Sequence, residues 1–353
     1  MHILKKQNTI YLGIGIVVII LIAAIAIFSA PKGEETTSTI KIGVITDLTG
    51  PAAYWGESTR VGAELAKQDL LNRGVNVNLV FEDYQLDTGK ALTAAQKLVN
   101  VDNVKAIYAE FNPAAISAGS FLKDKNVLYI YDAAVTSPLE GNSNAYKTYL
   151  DYKEGCKQVA NKFKEQGIEN IGVLKVNLEF GKLCLDGVKE IYGSNTYVET
   201  YNLGDQDFKT QMLKLTQNDI GAVINVGFEG DTINTLKVIE EQNLNIKYGT
   251  VADTITEQVI EKYSNVLKGS ISFGFIEVSS DFKKRISQEK ISTNYGAALA
   301  YTHIMQIGEA FEKCDNALNC VKQEMNNAKS DDTIGFIQFK NHIAELKMQI
   351  IQR

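Results

Sequence analysis

The sequence predicts an α/β protein built as two lobes in series. Three observations predict it. Strand-like and helix-like patterns alternate from residue 39 onward, which is the mark of βαβ units and a mostly parallel sheet. The alternation fails over 137–150 and restarts at 151. After residue 267 a few further elements follow that have to return to one lobe or the other. A chain of 353 residues suits about two domains.

The first lobe opens with "TIKIGVIT" (39–46), an alternating Ile/Val strand, and a helical pattern over 56–74 that stops at Gly74. A strand over 75–83, a helix over 88–100, a strand over 104–110, a helix over 114–124 and a strand over 127–132 continue the series. "SPLEGNSNAYKTYL" (137–150) has no helical period. The second lobe alternates helices over 151–166, 181–193, 206–217, 231–243 and 255–264 with strands over 170–176, 196–201, 220–226 and 246–250. "LKGSISFGFI" (267–276) is a strand with no crossover helix after it. Helices over 292–313 and 317–328 and strands over 333–339 and 344–352 close the chain.

The N-terminus stands apart. Lys5 and Lys6 precede an uncharged stretch whose apolar heart is Ile10–Phe28. As a helix it would span roughly 28 Å, close to the hydrocarbon thickness of about 30 Å. A secretory apolar region is usually only about 7–15 residues. An uncleaved anchor over 1–31 is therefore favoured over a cleaved signal, although Phe28-Ser29-Ala30 offers a cleavage site with Pro31 after it. The lysines put the N-terminus inside and the remainder outside. No cysteine follows the apolar run to carry a lipid. "KGEETTST" (32–39) then reads as a short polar tether, taken as 32–38 in the layout. The expected layout is 39–150 plus 277–332 in lobe 1 and 151–276 plus 333–353 in lobe 2.

Export permits disulfides, and the cysteines number four. Cys314 and Cys320 lie close together around a break between two helices. Cys156 and Cys184 each fall near a helix start at one end of the same sheet. The spacing contains no C-x₂-C pair, and the chain has three histidines, which disfavours zinc. A net charge of -6 without a basic run argues against nucleic acid.

Ligands of open parallel sheets bind beyond the carboxyl ends of the strands. The loops there carry no G-x-S-x-G, H-E-x-x-H, Walker A or intact G-x-G-x-x-G. His303 lies within a helix and reads as a packed or partly exposed helical residue rather than a functional one. Aromatics do occur there: Trp55, Phe111, Phe180 and Phe228, drawn from both lobes. They either cap the sheets as core or face a ligand in a cleft, where aromatic faces supply apolar area and can hold an ammonium. Asn112 and Pro113 start a helix, leaving backbone N–H groups near Ala114 and Ala115 suited to a carboxylate. Asp47, Asp83, Glu110, Asp132, Glu179, Glu229 and Asp253 sit at strand ends, and no arginine does. A zwitterion or a cation therefore fits better than an unbalanced anion.

"IKIGVITDLTGPAAYWGESTRVGAELAKQDLLNRG", "VFEDYQLDTGKALTAAQKLV", "AAVTSP", "NYGAALAYTHIMQIGEAF" and "GFIQFKNHIAELKMQII" together resemble the type I periplasmic binding proteins of the branched-chain amino-acid class. These are the substrate-binding proteins of ABC importers. The resemblance runs from 39 to 353. It implies two Rossmann-like lobes joined by a three-strand hinge, with crossings near 140–151, 267–278 and 330–342, and a ligand trapped by hinge closure. It implies an aromatic lid at Trp55, head-group contacts at Ala134 and Thr136, and second-lobe aromatics at Phe180 and Phe228. Two positions depart from the pattern. Pro113-Ala114 replaces a serine, and the gapless match to the ammonium-binding acid is Val251, with Asp253 two residues on.

The expected function is capture of a small amino acid, amide or amine-bearing ligand outside the membrane and its delivery to an ABC permease. The expected protein is a monomer with no cofactor and no catalytic role. A ligand-sensing ectodomain of the same fold is the alternative, disfavoured because no second apolar span follows the lobes.

Overall fold

The computed structural model describes residues 39–275, 278–289, 291–330, 333–334, 337–344 and 346–353. The expected anchor (1–31) and tether (32–38) lie outside the described residues. Among the described residues no helix is long and apolar enough to cross a membrane.

The first sheet is laid down by β1 (Ile40–Thr46), α1 (Ala53–Asn72), β2 (Val77–Asp83), α2 (Thr88–Asn100), β3 (Ala106–Glu110), α3 (Phe111–Leu122), β4 (Leu128–Asp132) and β5 (Ala145–Thr148). The second follows as α4 (Tyr152–Glu165), β6 (Ile171–Val176), α5 (Glu179–Tyr192), β7 (Thr196–Tyr201), α6 (Lys209–Thr216), β8 (Ala222–Val226), α7 (Glu229–Glu241), β9 (Lys247–Val251), α8 (Glu257–Tyr263) and β10 (Ile271–Phe275). The chain then forms α9 (Ser280–Ile286), α10 (Asn294–Lys313), α11 (Leu318–Asn327), β11 (Lys329–Ser330), β12 (Ile337–Lys340), β13 (Ile343–Ala344) and β14 (Met348–Gln352).

The sheets have orders β11-β12-β13-β5-β4-β3-β1-β2 and β14-β10-β9-β8-β6-β7. Strands β3, β4, β8 and β10 are buried at every position. Such continuous apolar strands belong to the centre of a parallel sheet covered by helices on both faces. Helix α10 crosses back onto α1. The approach is close: a Cβ at Gly62 would lie 2.0 Å from the Ala297 carbonyl oxygen, so only glycine fits there.

The expected lobe boundary near the C-terminus needs correction. Residues 337–344 were assigned to lobe 2, yet β12 and β13 extend the first sheet, with Ile343 paired to Lys147 of β5. The cause is a tight turn at Asn341 and His342, both at positive φ (51° and 65°). That turn folds β12 onto β13, the His342 carbonyl accepts the Lys147 N–H at 2.8 Å, and its ring stacks on Tyr146. Only β14 returns to the second sheet, antiparallel to β10. The last crossing therefore follows Ala344 rather than lying over 330–342. Two short elements, β5 and α9, had no periodic signal long enough to read.

Helix α1 starts earlier than its periodicity predicts, at Ala53. The Asp47 carboxylate accepts the N–H groups of Gly50 (2.7 Å) and Ala52 (2.6 Å), which winds the Gly-Pro turn tightly enough to begin the helix there. Tyr54 and Trp55 therefore sit on the first helical turn. Trp55 is fully buried. Its indole Nε1–H donates to Glu110 Oε1 at 2.8 Å. Glu110, itself fully buried, also accepts from the hydroxyls of Thr46, Thr59 (2.6 Å) and Tyr108 (3.1 Å). Burial pushes its carboxyl up to about 7, against the lowering by the Thr46, Thr59 and Trp55 donors.

Both cysteine pairs form disulfides, Cys156–Cys184 across a sequence separation of 28 and Cys314–Cys320 across 6.

Two predictions follow from this framework. Loop-closure entropy makes the wider disulfide worth about 3.5 kcal/mol and the narrower about 2 kcal/mol. Replacing Cys156 and Cys184 by alanine should thus lower the denaturation midpoint more than replacing Cys314 and Cys320; the reverse order would contradict the loop-length account. Trp55→Phe removes one donor from a buried acid and should cost about 1–3 kcal/mol. A carboxyl raised above its unfolded value is protonated in the fold below about pH 7. The lost donor matters most to the ionised form, so the loss should be larger at about pH 8 than at about pH 5. Urea titrations at both pH values check this, and equal losses would refute it.

Candidate functional site

A small cavity of about 20 Å³ lies where the carboxyl ends of both sheets face each other, room for about one water. Its wall from the first sheet is Tyr54 on α1, Phe111 and Asn112 after β3, Asp132 to Ala134 after β4, and Tyr149 after β5. The opposite wall is Tyr152 on α4, Phe180 on α5, Gly227 and Phe228 after β8, and Asp253 and Thr254 after β9. Strand ends supply nearly every member, as parallel sheets require of their ligand sites.

The rings around it close a cycle. Phe111 meets Phe228 edge-on at 5.6 Å, Phe228 meets Phe180 at 5.7 Å, and Phe180 meets Tyr152 at 5.4 Å. Tyr152 stacks on Tyr149 at 5.6 Å; Tyr149 meets Trp55 at 6.2 Å, and Trp55 meets Phe111 at 6.0 Å. Two members hold uncommon backbone: Phe111 at φ 65° and Tyr149 at φ 132°. Bulky residues at positive φ are strained, and packing on all sides is what keeps them there.

Polar groups are few and one-sided. Asp253 sits in the short 3-10 turn after β9, and its Oδ2 accepts the Tyr149 hydroxyl at 2.9 Å. Its buried Oδ1 has no hydrogen-bond partner. Burial raises its carboxyl to about 6, with the Tyr149 bond and the backbone N–H groups of Asp253 and Thr254 pulling the other way. Asn112 Oδ1 accepts the Ala134 N–H at 3.0 Å, while its buried Nδ2 has no partner. Asp132 accepts from the Tyr108 hydroxyl, and its Oδ1 lies 3.3 Å from His303 Nε2. No lysine or arginine lines the cavity. An unpaired acid oxygen and an unpaired amide donor thus face a space walled by aromatic rings. That combination accepts a cation and an adjoining acceptor atom.

Five of the nine expected ligand-binding residues line this cavity: Asn112, Ala134, Phe180, Phe228 and Asp253. Trp55 does not; it backs the wall and serves Glu110. Ala114 and Ala115 are buried in α3, and the Ala115 carbonyl accepts the Tyr129 hydroxyl. Thr136 lines the adjoining wider groove instead. Asp253 faces the cavity, whereas Val251 ends β9 in the core. Tyr54, Tyr149, Tyr152 and Asp132 were missed as site residues. For Tyr149 and Tyr152 the hint was the segment "YLDY" (149–152), which falls where the chain first crosses between lobes, and for Asp132 it was its place at a strand end. His303 is fully buried against Tyr108 and Phe339, as its helical position suggested.

Comparison with known proteins agrees with this architecture. A curated relative, the Leu/Ile/Val-binding protein homolog 2 of Brucella abortus, is 22% identical over 255 residues, covering 68% of each chain. The branched-chain amino acid transporter substrate binding protein of Streptococcus pneumoniae, solved with isoleucine, superposes with a TM-score of 0.75 at 18% identity, covering 89% of this chain and 100% of that one. A solute binding protein of an ABC transporter from Rhodopseudomonas palustris, solved with 3,4-dihydroxybenzoic acid, gives a TM-score of 0.78 at 17% identity, covering 89% and 93%. The family model described as periplasmic binding protein matches residues 39–352. With nearly the whole two-sheet body inside that match, the chain belongs to the periplasmic binding protein family, whose members are extracytoplasmic solute-binding proteins rather than enzymes.

Proposed function

We propose that this protein captures a small ligand bearing a protonated amine, such as an amino acid or an amino amide, and hands it to an ABC permease. The observation that carries the reading is the unpaired Oδ1 of Asp253 inside an aromatic cavity that no basic side chain lines. An ammonium there gains a charge-assisted hydrogen bond and the faces of Tyr149, Tyr152 and Phe228. The Asn112 Nδ2 donor suits a carbonyl or carboxylate oxygen next to the amine. The two sheets are joined by three connections, so capture proceeds by opening and closing about them. Residues 10–28 tether the protein to the membrane.

Thermal-shift screening of amino acids, amides and amines, followed by calorimetry on the hits, tests the reading. Asp253→Asn should weaken an amine hit by about tenfold to a hundredfold, the worth of a charge-assisted contact. Binding needs the ionised carboxylate, whose value in the fold is about 6. Affinity should therefore stay level between about pH 7 and pH 8 and fall about tenfold per unit well below pH 6. A ligand whose affinity ignores both the substitution and acidification would exclude an amine at Asp253.

A further inference from the structure

Beside the aromatic cavity lies a wider groove of about 810 Å³, and the two share Ala134 and Tyr149. Pockets that enclose small organic ligands usually measure about 300–1,000 Å³. The groove has that size and the aromatic cavity does not. A ligand whose amine enters the cavity must therefore keep most of its body in the groove.

The groove contains a cation that the strand-end loops gave no hint of. Lys147 lies on β5, lines the groove, and is only 6% exposed. Its backbone is tied to His342 on the neighbouring turn. Among the described residues its ammonium has neither an ion-pair nor a hydrogen-bond partner. Lys153, the other lysine there, is paired with Glu190 at 2.7 Å. Asp151, the acid nearest in sequence, is exposed and caps α4 through the Glu154 N–H. Glu140 and Glu179 are exposed as well. The acids that line the groove sit in solvent, where screening weakens them, while Asp151 and the buried Asp132 act on the Lys147 charge against its desolvation. The Lys147 side chain is buried overall while its ammonium reaches the groove, and desolvation lowers its pKa, so an anion there would offset that cost. The Thr136 hydroxyl stands in the same groove as a further donor.

We propose that the ligand is a zwitterion with separated charges, its ammonium on Asp253 and a distal carboxylate on Lys147. An ω-amino acid or a short peptide has this form. The inference rests on the amine reading above and adds the second anchor. Asp253 works against a simple anion, and Lys147 works against a simple diamine. A chain carrying one charge of each sign satisfies both ends, with Tyr149 between them.

Calorimetry with n-pentylamine, glutarate and the ω-amino acids from 4-aminobutyrate to 6-aminohexanoate tests it, on the full extracytoplasmic chain and on Lys147→Met, Lys147→Arg and Asp253→Asn. At least one ω-amino acid should bind about tenfold or more tighter than pentylamine and tighter than glutarate. Lys147→Met should erase that advantage while leaving pentylamine unchanged, and Lys147→Arg should keep most of it. If pentylamine binds through Asp253 and no ω-amino acid exceeds it, the second anchor is overturned and the amine reading stands. An advantage that survives Lys147→Met also overturns the second anchor. If ω-amino acids bind in a Lys147-dependent way that ignores Asp253→Asn, the amine reading falls and the zwitterion falls with it, leaving a carboxylate site alone. Unchanged melting temperatures of the variants confirm that folding is not the cause.

Discussion

The first wall of the cleft depends on a carboxylate that has no contact with water. Glu110 ends β3, and a buried charge must find donors or be neutralised. Four side chains answer it: Thr46 from β1, Trp55 and Thr59 from α1, and Tyr108 from its own strand. Those bonds fix the rotation of α1 about its axis. With Trp55 turned inward to Glu110, its neighbour Tyr54 is turned toward the cleft, because consecutive helical residues point about 100° apart. The same carboxylate therefore chooses which aromatic is core and which faces the ligand space.

The second lobe meets this wall through rings rather than through charges. Trp55, Phe111, Phe228, Phe180, Tyr152 and Tyr149 form one closed cycle whose members come from both sheets. Edge-on and stacked pairs of this kind add about 0.5–1.5 kcal/mol each beyond the area they bury. With the proposed opening and closing of the lobes, every such contact across the cleft would be lost when they part and regained when they close. Closure therefore has an apolar contribution of its own, and the polar groups inside select what it closes upon.

Much of the fold was legible because its signals are periodic. The helix over 88–100 and the strand over 196–201 were read to the residue. What failed was short or non-local. Strand β5 has four residues, and its pairing with β13 joins positions almost two hundred residues apart in sequence. Periodicity cannot report that, nor could it report that Asn341 and His342 would adopt positive φ and turn the chain back to the first sheet. In the site, residues at strand ends were found by the rule that ligands sit there. Trp55 was misplaced because a lone aromatic near a turn gives no sign of a buried acid waiting on another strand. Lys147 was overlooked because it lies inside a strand, and its opening onto the groove shows only in three dimensions.

Tyr149 gathers these strands of argument at one residue. It is the first residue past β5, at the first connection between the lobes, and it is held at φ 132°. Its ring belongs to the aromatic cycle and separates the small cavity from the wide groove. Its hydroxyl donates to Asp253, the acid with an oxygen still unpaired. A cation arriving at that acid stabilises the ionised form and so strengthens the Tyr149 bond, which spans the two lobes. The same cation gains nothing from Tyr149 when the lobes are apart. A ligand can shift an equilibrium only by its differential affinity for the two states. On the proposed amine reading that difference would reside where a connection, a ring and a carboxylate coincide, which would couple recognition of charge to closure of the cleft.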